Sequence, residues 1–170
     1  PHLDNLIKQY ADLNNLKNVE ITILTKKTEA GNPDFRIWDG NTHITGYIEA
    51  KNPAVTNLDQ IETSKQSKRY ISTFPNVILT NFYEFRLYRY GELVSQVMVG
   101  RPAITNKLKT APPAENIDKF KELLDRFFSF SLPGFTTANS LAGELAKRTR
   151  FLRDEVISIE LQDNGSKGYK

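Results

Sequence analysis

The stretch Pro33-Asp34-Phe35-Arg36-Ile37-Trp38-Asp39-Gly40-Asn41-Thr42-His43-Ile44-Thr45-Gly46-Tyr47-Ile48-Glu49-Ala50-Lys51 decides how the rest of the chain is read. Asp39-Gly40-Asn41-Thr42 is turn chemistry, because Gly and Asn tolerate the positive φ that tight hairpins need. It joins two arms, Asp34 to Trp38 and His43 to Ala50, and Asn52-Pro53 stops the second. In a hairpin with a two-residue loop, paired positions sum to an odd number, whether the loop is Gly40-Asn41 or Asp39-Gly40. Asp34, Glu49 and Lys51 therefore project from one face of the sheet. With Gly40-Asn41 as the loop, Asp34 stands opposite Tyr47, and Glu49 is its diagonal neighbour at roughly 7–8 Å.

Two carboxylates and a lysine on one sheet face need a reason. Carboxylates about 5 Å apart repel by roughly 3 kcal/mol at an effective dielectric near 20. A divalent cation between them turns repulsion into attraction, and waters with a phosphate oxygen complete the octahedron that magnesium prefers. Lys51 beside them can stabilise charge building on a phosphate or orient an attacking water. The plain alternative is a solvated sheet edge on which Lys51 pairs with Glu49 or Asp34. The Gly31-Asn32-Pro33 turn before Asp34, the hairpin itself and the basic helix that follows favour the chemical reading.

Composition narrows the chemistry. The chain has 170 residues, 39% hydrophobic and 25% charged, which suits one compact soluble domain with an appendage. A net charge of +3 permits a nucleic-acid partner without demanding one. There are no cysteines and only two histidines, His2 and His43. Disulfides, thiolate catalysis and Cys-ligated zinc are excluded, and any metal would be a hard cation on oxygen ligands. The absence of cysteine fits a reducing, cytoplasmic setting. No apolar run approaches a membrane span. The chain begins at Pro1 and ends in the polar Asn164-Gly165-Ser166-Lys167-Gly168 tail, so a piece of a longer polypeptide is expected, although a processed protein has the same look.

Outward from the hairpin, Leu3, Leu6, Ile7 and Tyr10 predict an opening amphipathic helix, and Val19, Ile21 and Ile23 a strand. Thr56 or Asn57 can cap a helix running to about Ser72, with Lys65, Lys68 and Arg69 on a basic face. Val77-Ile78-Leu79 reads as a buried central strand, Phe85 to Tyr88 as another, and Leu93 to Val99 as a third after the turn at Gly91. Residues 100 to 113 read as a connector. Two helical patterns follow, one through Ile117, Phe120, Leu123, Leu124, Phe127 and Phe128, the other through Leu141, Leu145, Leu152, Val156 and Ile159. The order is α/β with a helical extension. Residues 1–110 form the expected core, and 111–170 an extension toward a neighbouring domain.

These residues resemble a known family. Gly31-Asn32-Pro33-Asp34 with Glu49-Ala50-Lys51 resembles the signature of the PD-(D/E)xK nuclease superfamily, and Gln66 with Tyr70 resembles the QxxxY motif of its RecB-like branch. The run Leu79-Thr80-Asn81-Phe82-Tyr83-Glu84-Phe85-Arg86-Leu87-Tyr88 is similar to the strand pair that follows in nuclease domains of restriction enzymes. Ala138 to Ala146 with Thr149 to Arg153 is similar to the helical segment after that domain in single-chain type IIG and type ISP restriction-modification proteins. The resemblance spans most of residues 31 to 155.

The resemblance implies a restriction-endonuclease-like mixed central sheet flanked by helices. It implies that Asp34, Glu49 and the Ala50 carbonyl bind Mg2+, for which Mn2+ can substitute. Lys51 would be the catalytic lysine, Gln66 would position it or the DNA, and Tyr70 would pack or hydrogen-bond beside Gln66. Some branches add an acidic residue from the first helix, where Asp4 and Asp12 are the ones present. The implied partners are double-stranded DNA and covalent neighbour domains, a methyltransferase and a helicase-like domain among them.

Other residues are read more plainly. Lys65, Lys68 and Arg69 usually form a solvated face; beside the site they become candidate phosphate contacts, marked by salt-sensitive binding, and Tyr70 is grouped with them. Trp38, Phe82, Tyr83 and Phe85 read as core, Phe127, Phe128 and Phe130 as packing of the extension, and His43 as structural. The expected function is a metal-dependent DNA endonuclease, the cleavage module of a restriction-modification enzyme. The alternatives are the nuclease domain of a type I restriction motor subunit, a repair nuclease, a non-catalytic DNA-binding nuclease-like fold, or an interaction domain acting through its helical tail.

Overall fold

The computed structural model describes residues 2–23, 33–41, 43–102, 108, 110, 112–131 and, further on, 142, 143, 145, 146, 149, 150 and 153. Gly31, Asn32 and most of the second helical pattern, Leu141, Leu152, Val156 and Ile159 among it, lie outside the described residues. The chain forms two compact units, Pro1–Leu24 with Pro33–Ser131, and Thr25–Asn32 with Leu132–Lys170. In the second, residues 142, 143, 145, 146, 149 and 150 are helical and exposed.

The first unit is built on six strands in chain order: β1 Glu20–Ile23, β2 Phe35–Trp38, β3 Ile44–Ala50, β4 Asn76–Thr80, β5 Glu84–Arg89 and β6 Glu92–Met98. All neighbours pair antiparallel except β3 and β4, which are parallel. A parallel pair needs a long crossover. Residues 51–75 supply it and carry two helices, α2 Leu58–Glu62 and α3 Lys65–Thr73. The sequence predicts one helix here. It breaks because Ser64, in extended backbone, caps a second start: its hydroxyl accepts the Ser67 N–H at 3.2 Å, while Asn57 caps the first by accepting the Asp59 N–H at 2.8 Å.

One sheet face carries the larger core. Leu3, Ile7 and Tyr10 of α1 (His2–Leu13) and Phe120, Leu123, Leu124 and Phe127 of α4 (Ile117–Phe128) pack on Ile37, Ile48, Ile78, Phe85, Leu87 and Val97. The other face holds a smaller cluster, Leu58, Ile71, Leu79 and Tyr88. With helices over both faces of a mixed central sheet, this is a restriction-endonuclease-like α/β fold. Every residue of β4 is buried, as its unbroken apolar run predicts.

α4 packs on the sheet within the first compact unit, which runs to Ser131. Two expectations change. Phe127 is fully buried in that core, not in an extension, because Gly46 on β3 leaves it room. Asn76, also buried, ties the two together by donating from its amide to the carbonyls of Thr45 at 2.8 Å and Phe127 at 3.0 Å. Of the predicted core aromatics, Phe85 is buried, whereas Trp38 and Tyr83 are half-buried and Phe82 is exposed.

β5 carries a charge through the interior. The Arg86 guanidinium donates to Glu84 at 2.7 Å, Glu62 at 2.6 Å and Asp59 at 2.6 Å. Burial works against the Arg86 charge, but the three carboxylates outweigh it and hold its pKa well above the ordinary value. The cluster clamps α2 onto the sheet.

Two predictions test this packing. A Cβ at Gly46 would meet the Asn76 carbonyl oxygen and Phe127 Cε2 at 2.6 Å each. Gly46→Ala is expected to cost about 1–3 kcal/mol in urea denaturation. Separately, burial first, and then the hydrogen bond of Tyr10 to Asp125 and the Glu62 carboxylate near Tyr88, raise the phenol pKa values of Tyr10 and Tyr88 above their ordinary 10.0. Their contribution is complete below the unfolded value and lost as pH climbs toward the folded one. Stability should therefore fall above about pH 10, and Tyr10→Phe with Tyr88→Phe should flatten that decline in pH-resolved thermal melts.

Candidate active site

Hairpin register decides where the carboxylates meet. The pairs are Phe35↔Ile48, Arg36↔Tyr47 and Ile37↔Gly46, then a bulge shifts the register to Trp38↔Ile44. The turn is wider than two residues. The Asp39 N–H donates to the His43 carbonyl at 3.0 Å, and the Asp39 carboxylate accepts the N–H groups of Asn41 and His43. The bulge absorbs the extra residue, so the odd-sum parity survives along the arms. The register itself lies two residues from the expected one. Continued one residue past the last pair, Phe35↔Ile48, the same register brings Asp34 level with Glu49 rather than Tyr47. The Asp34 carboxylate also accepts the Ala50 N–H at 2.8 Å, which fixes it at the end of β3.

Glu49 is 1% exposed. A buried carboxylate needs compensation, and Lys51 provides it: Nζ donates to Glu49 Oε1 at 2.5 Å. The same ammonium lies 3.4 Å from Gln66 Oε1 on α3. The Gln66 amide nitrogen in turn donates to the Tyr70 hydroxyl at 3.0 Å. The amide is thus oriented by both ends, its oxygen toward the lysine. The break before Ser64 matters here, because it starts α3 where Gln66 can reach Lys51. The Lys51 backbone is held too, its N–H donating to the Thr80 carbonyl at 2.7 Å.

Asp34, Ala50, Lys51 and Asn52 help to line an open cavity of about 330 Å³, together with His2 and the apolar side chains of Leu3, Ile23, Phe35 and Phe82. A larger cavity of about 500 Å³, lined chiefly by apolar side chains of α1 and α4 such as Leu6 and Ile117, holds none of the site residues expected from sequence; Phe82 borders both cavities. Among the described residues no group of three or more His, Cys, Asp and Glu could form a metal cage. The Asp34 carboxylate and Ala50 line open space and Glu49 lies buried next to Ala50, an oxygen donor set that fits a hard cation keeping most of its waters, as magnesium does, and not structural zinc. Neither Asp4 nor Asp12 of α1 lines this cavity.

The structure thus brings Asp34, Glu49, Ala50, Lys51, Gln66 and Tyr70 together. Lys65 and Lys68 stand exposed on α3, and the Arg69 guanidinium lies over the Tyr70 ring at 5.5 Å. Tyr70, grouped with the DNA-facing residues from sequence, is 1% exposed and serves the site from inside through Gln66. His43 is exposed beside the turn.

Two residues escaped sequence reading. Asn81 donates to the Val55 carbonyl at 2.7 Å, anchoring the loop after Lys51, and accepts the N–H groups of Tyr83 and Glu84. Its place in the Thr80-Asn81-Phe82 run was the available signal. Arg36, two residues along β2 from Asp34, is held by Thr22 Oγ1 at 3.4 Å and lies over the Trp38 ring at 4.6 Å.

Lys51→Met would leave Glu49 buried without its ammonium. It should cost about 3 kcal/mol in urea denaturation at neutral pH. Adding Glu49→Gln should recover most of the loss. Equal and additive losses from the two substitutions would mean the pair is not coupled.

Comparison with known proteins gives a likeness in structure. No protein-family model matches the chain, and no curated protein does. Among solved structures, the chain is similar to DrdV in a cryoEM DrdV–DNA complex, at 26% sequence identity and a TM-score of 0.50. The match covers 75% of this chain but 11% of that one, so this chain corresponds to a small part of DrdV.

Proposed function

We propose that this chain is a magnesium-dependent DNA endonuclease domain, the cleavage module of a restriction-modification enzyme. The observation that carries the reading is the anchoring of the Asp34 carboxylate on the Ala50 N–H, next in the chain to Glu49, with Lys51 steered by Glu49 and Gln66. The likeness to a protein solved in complex with DNA supports it, and the small share of that protein covered supports a module within a larger assembly.

The chemistry is phosphodiester hydrolysis: water adds to phosphorus and one ester oxygen leaves. Asp34, Glu49 and the Ala50 carbonyl would hold the cation. A bound divalent cation supplies Lewis-acid polarisation of the phosphate. The Lys51 ammonium offers its remaining protons to phosphate oxygens, where charge grows as the bond to water forms. Gln66 and Tyr70 keep that ammonium from swinging away, which preserves alignment at the reacting centre. Lys65, Lys68 and Arg69 on α3 take flanking phosphates. Sequence recognition, the methyltransferase and any helicase-like part would belong to neighbouring domains. Among the described residues no helix is long and apolar enough to cross a membrane.

Plasmid nicking at low salt with magnesium or manganese tests the reading. The unaltered chain is expected to nick, and Glu49→Ala and Lys51→Ala to lower the rate by about 100-fold or more. Absent nicking, with calcium bound equally by all three proteins, would remove Glu49 from any metal site and sink the proposal.

A further inference from the structure

The turn between β4 and β5 places an aromatic ring where a glycine would be easier. Phe82 has φ 72°, a left-handed backbone that a bulky side chain rarely adopts. Hydrogen bonds from its neighbours impose it. The Thr80 hydroxyl accepts the Phe82 N–H at 2.9 Å and donates to the Glu84 carbonyl at 2.7 Å. Asn81 Oδ1 accepts the N–H groups of Tyr83 at 3.1 Å and Glu84 at 2.8 Å. None of these bonds uses the Phe82 side chain, so the clamp would hold with any residue there.

The ring is not stored in the core. Phe82 is 38% exposed and lines the cavity shared by Asp34, Ala50, Lys51 and Asn52. That cavity has two chemistries. Its lining includes charged and polar groups, Asp34, Lys51 and Asn52 among them, and apolar ones, Leu3, Ile23 and Phe82 among them. A free phosphate would use only the first. A nucleotide uses both, because the C–H surface of its sugar and the face of its base offer apolar area beside the phosphate. Strain held by a rigid turn beside a reactive cluster is where backbone conformation serves binding.

We propose that Phe82 is a nucleotide-packing residue: its ring rests against the sugar and base next to the phosphate bound at Asp34 and Lys51. The proposal rests on the nuclease reading above. Every nucleotide carries the same sugar beside its phosphate, so the contact is tolerant of sequence.

The test is equilibrium binding of two unrelated fluorescein-labelled duplexes in calcium buffer at low salt, alongside thermal melting. Phe82→Gly is expected to weaken binding of both duplexes roughly ten-fold. Its melting temperature should stay level or rise, because glycine takes this φ without strain. Phe82→Tyr, which keeps the ring, should bind as the unaltered chain does. Unchanged affinity in Phe82→Gly, with the unaltered chain binding DNA well, overturns the role of Phe82 and leaves the nuclease reading standing. A fall in melting temperature that accounts for the lost binding assigns Phe82 to the core and overturns the proposal as well. If the unaltered chain binds neither duplex, the nuclease reading fails and takes this proposal with it.

Discussion

Glu49 is a carboxylate in the interior of a sheet, between β2 and β4, and the candidate site is organised around satisfying it. Leaving that charge uncompensated would cost several kcal/mol. Lys51 answers it from two residues along the same strand. A lysine has a long, flexible stem, so it needs a second anchor to stay in one place. Gln66 is that anchor, and Tyr70 orients Gln66. The parallel pairing of β3 and β4 forces a crossover over this face, and the crossover carries α3. A single requirement of sheet topology thus delivers both the buried strand that holds Glu49 and the helix that steers its partner.

The same sheet supports a second polar cluster, and the contrast is informative. Arg86 is met by Glu84, Glu62 and Asp59, and Gln96 donates to Glu84 at 2.5 Å. That network is closed upon itself: one cation meets three anions, and the gain is the fixing of α2. The Glu49–Lys51 cluster is built differently. Its lysine lines an open cavity, and Asp34 waits on the same rim. One arrangement spends charge on architecture, while the other leaves donors and acceptors facing a space that a substrate can enter. The turn at Thr80-Asn81-Phe82 serves both regions, since Asn81 secures the loop after Lys51 and the following strand begins at Glu84.

Much of this was legible from the residues because the signals are local. The spacing of Leu3, Ile7 and Tyr10 defines the buried side of α1, and the apolar run at Val77-Ile78-Leu79 defines a central strand. The odd-sum parity of the hairpin put Asp34, Glu49 and Lys51 on one face, since strand alternation has a period of two. The spacing of Gln66 and Tyr70 is one helical turn, and it brought them to each other. What the residues could not tell was anything decided by partners distant in the chain. The bulge at Ile37/Trp38, and with it the register that brings Asp34 level with Glu49, depends on how Asp39 closes its turn and how β3 seats between its neighbours. The break at Ser64 could not be told from a continuous helix, because a serine inside a helix and a serine capping one look alike until the backbone is placed. α4 was assigned to an extension because amphipathic spacing names a buried face but not the surface that buries it; Gly46 and Asn76 supply that surface. The residue types and spacings of the sequence determined the α/β plan and singled out the residues that gather around Lys51, because alternation and helical period are properties of neighbours. Only the tertiary structure decided the register, the homes of α3 and α4 and the aromatic wall at Phe82, because those follow from contacts between segments that no local pattern encodes.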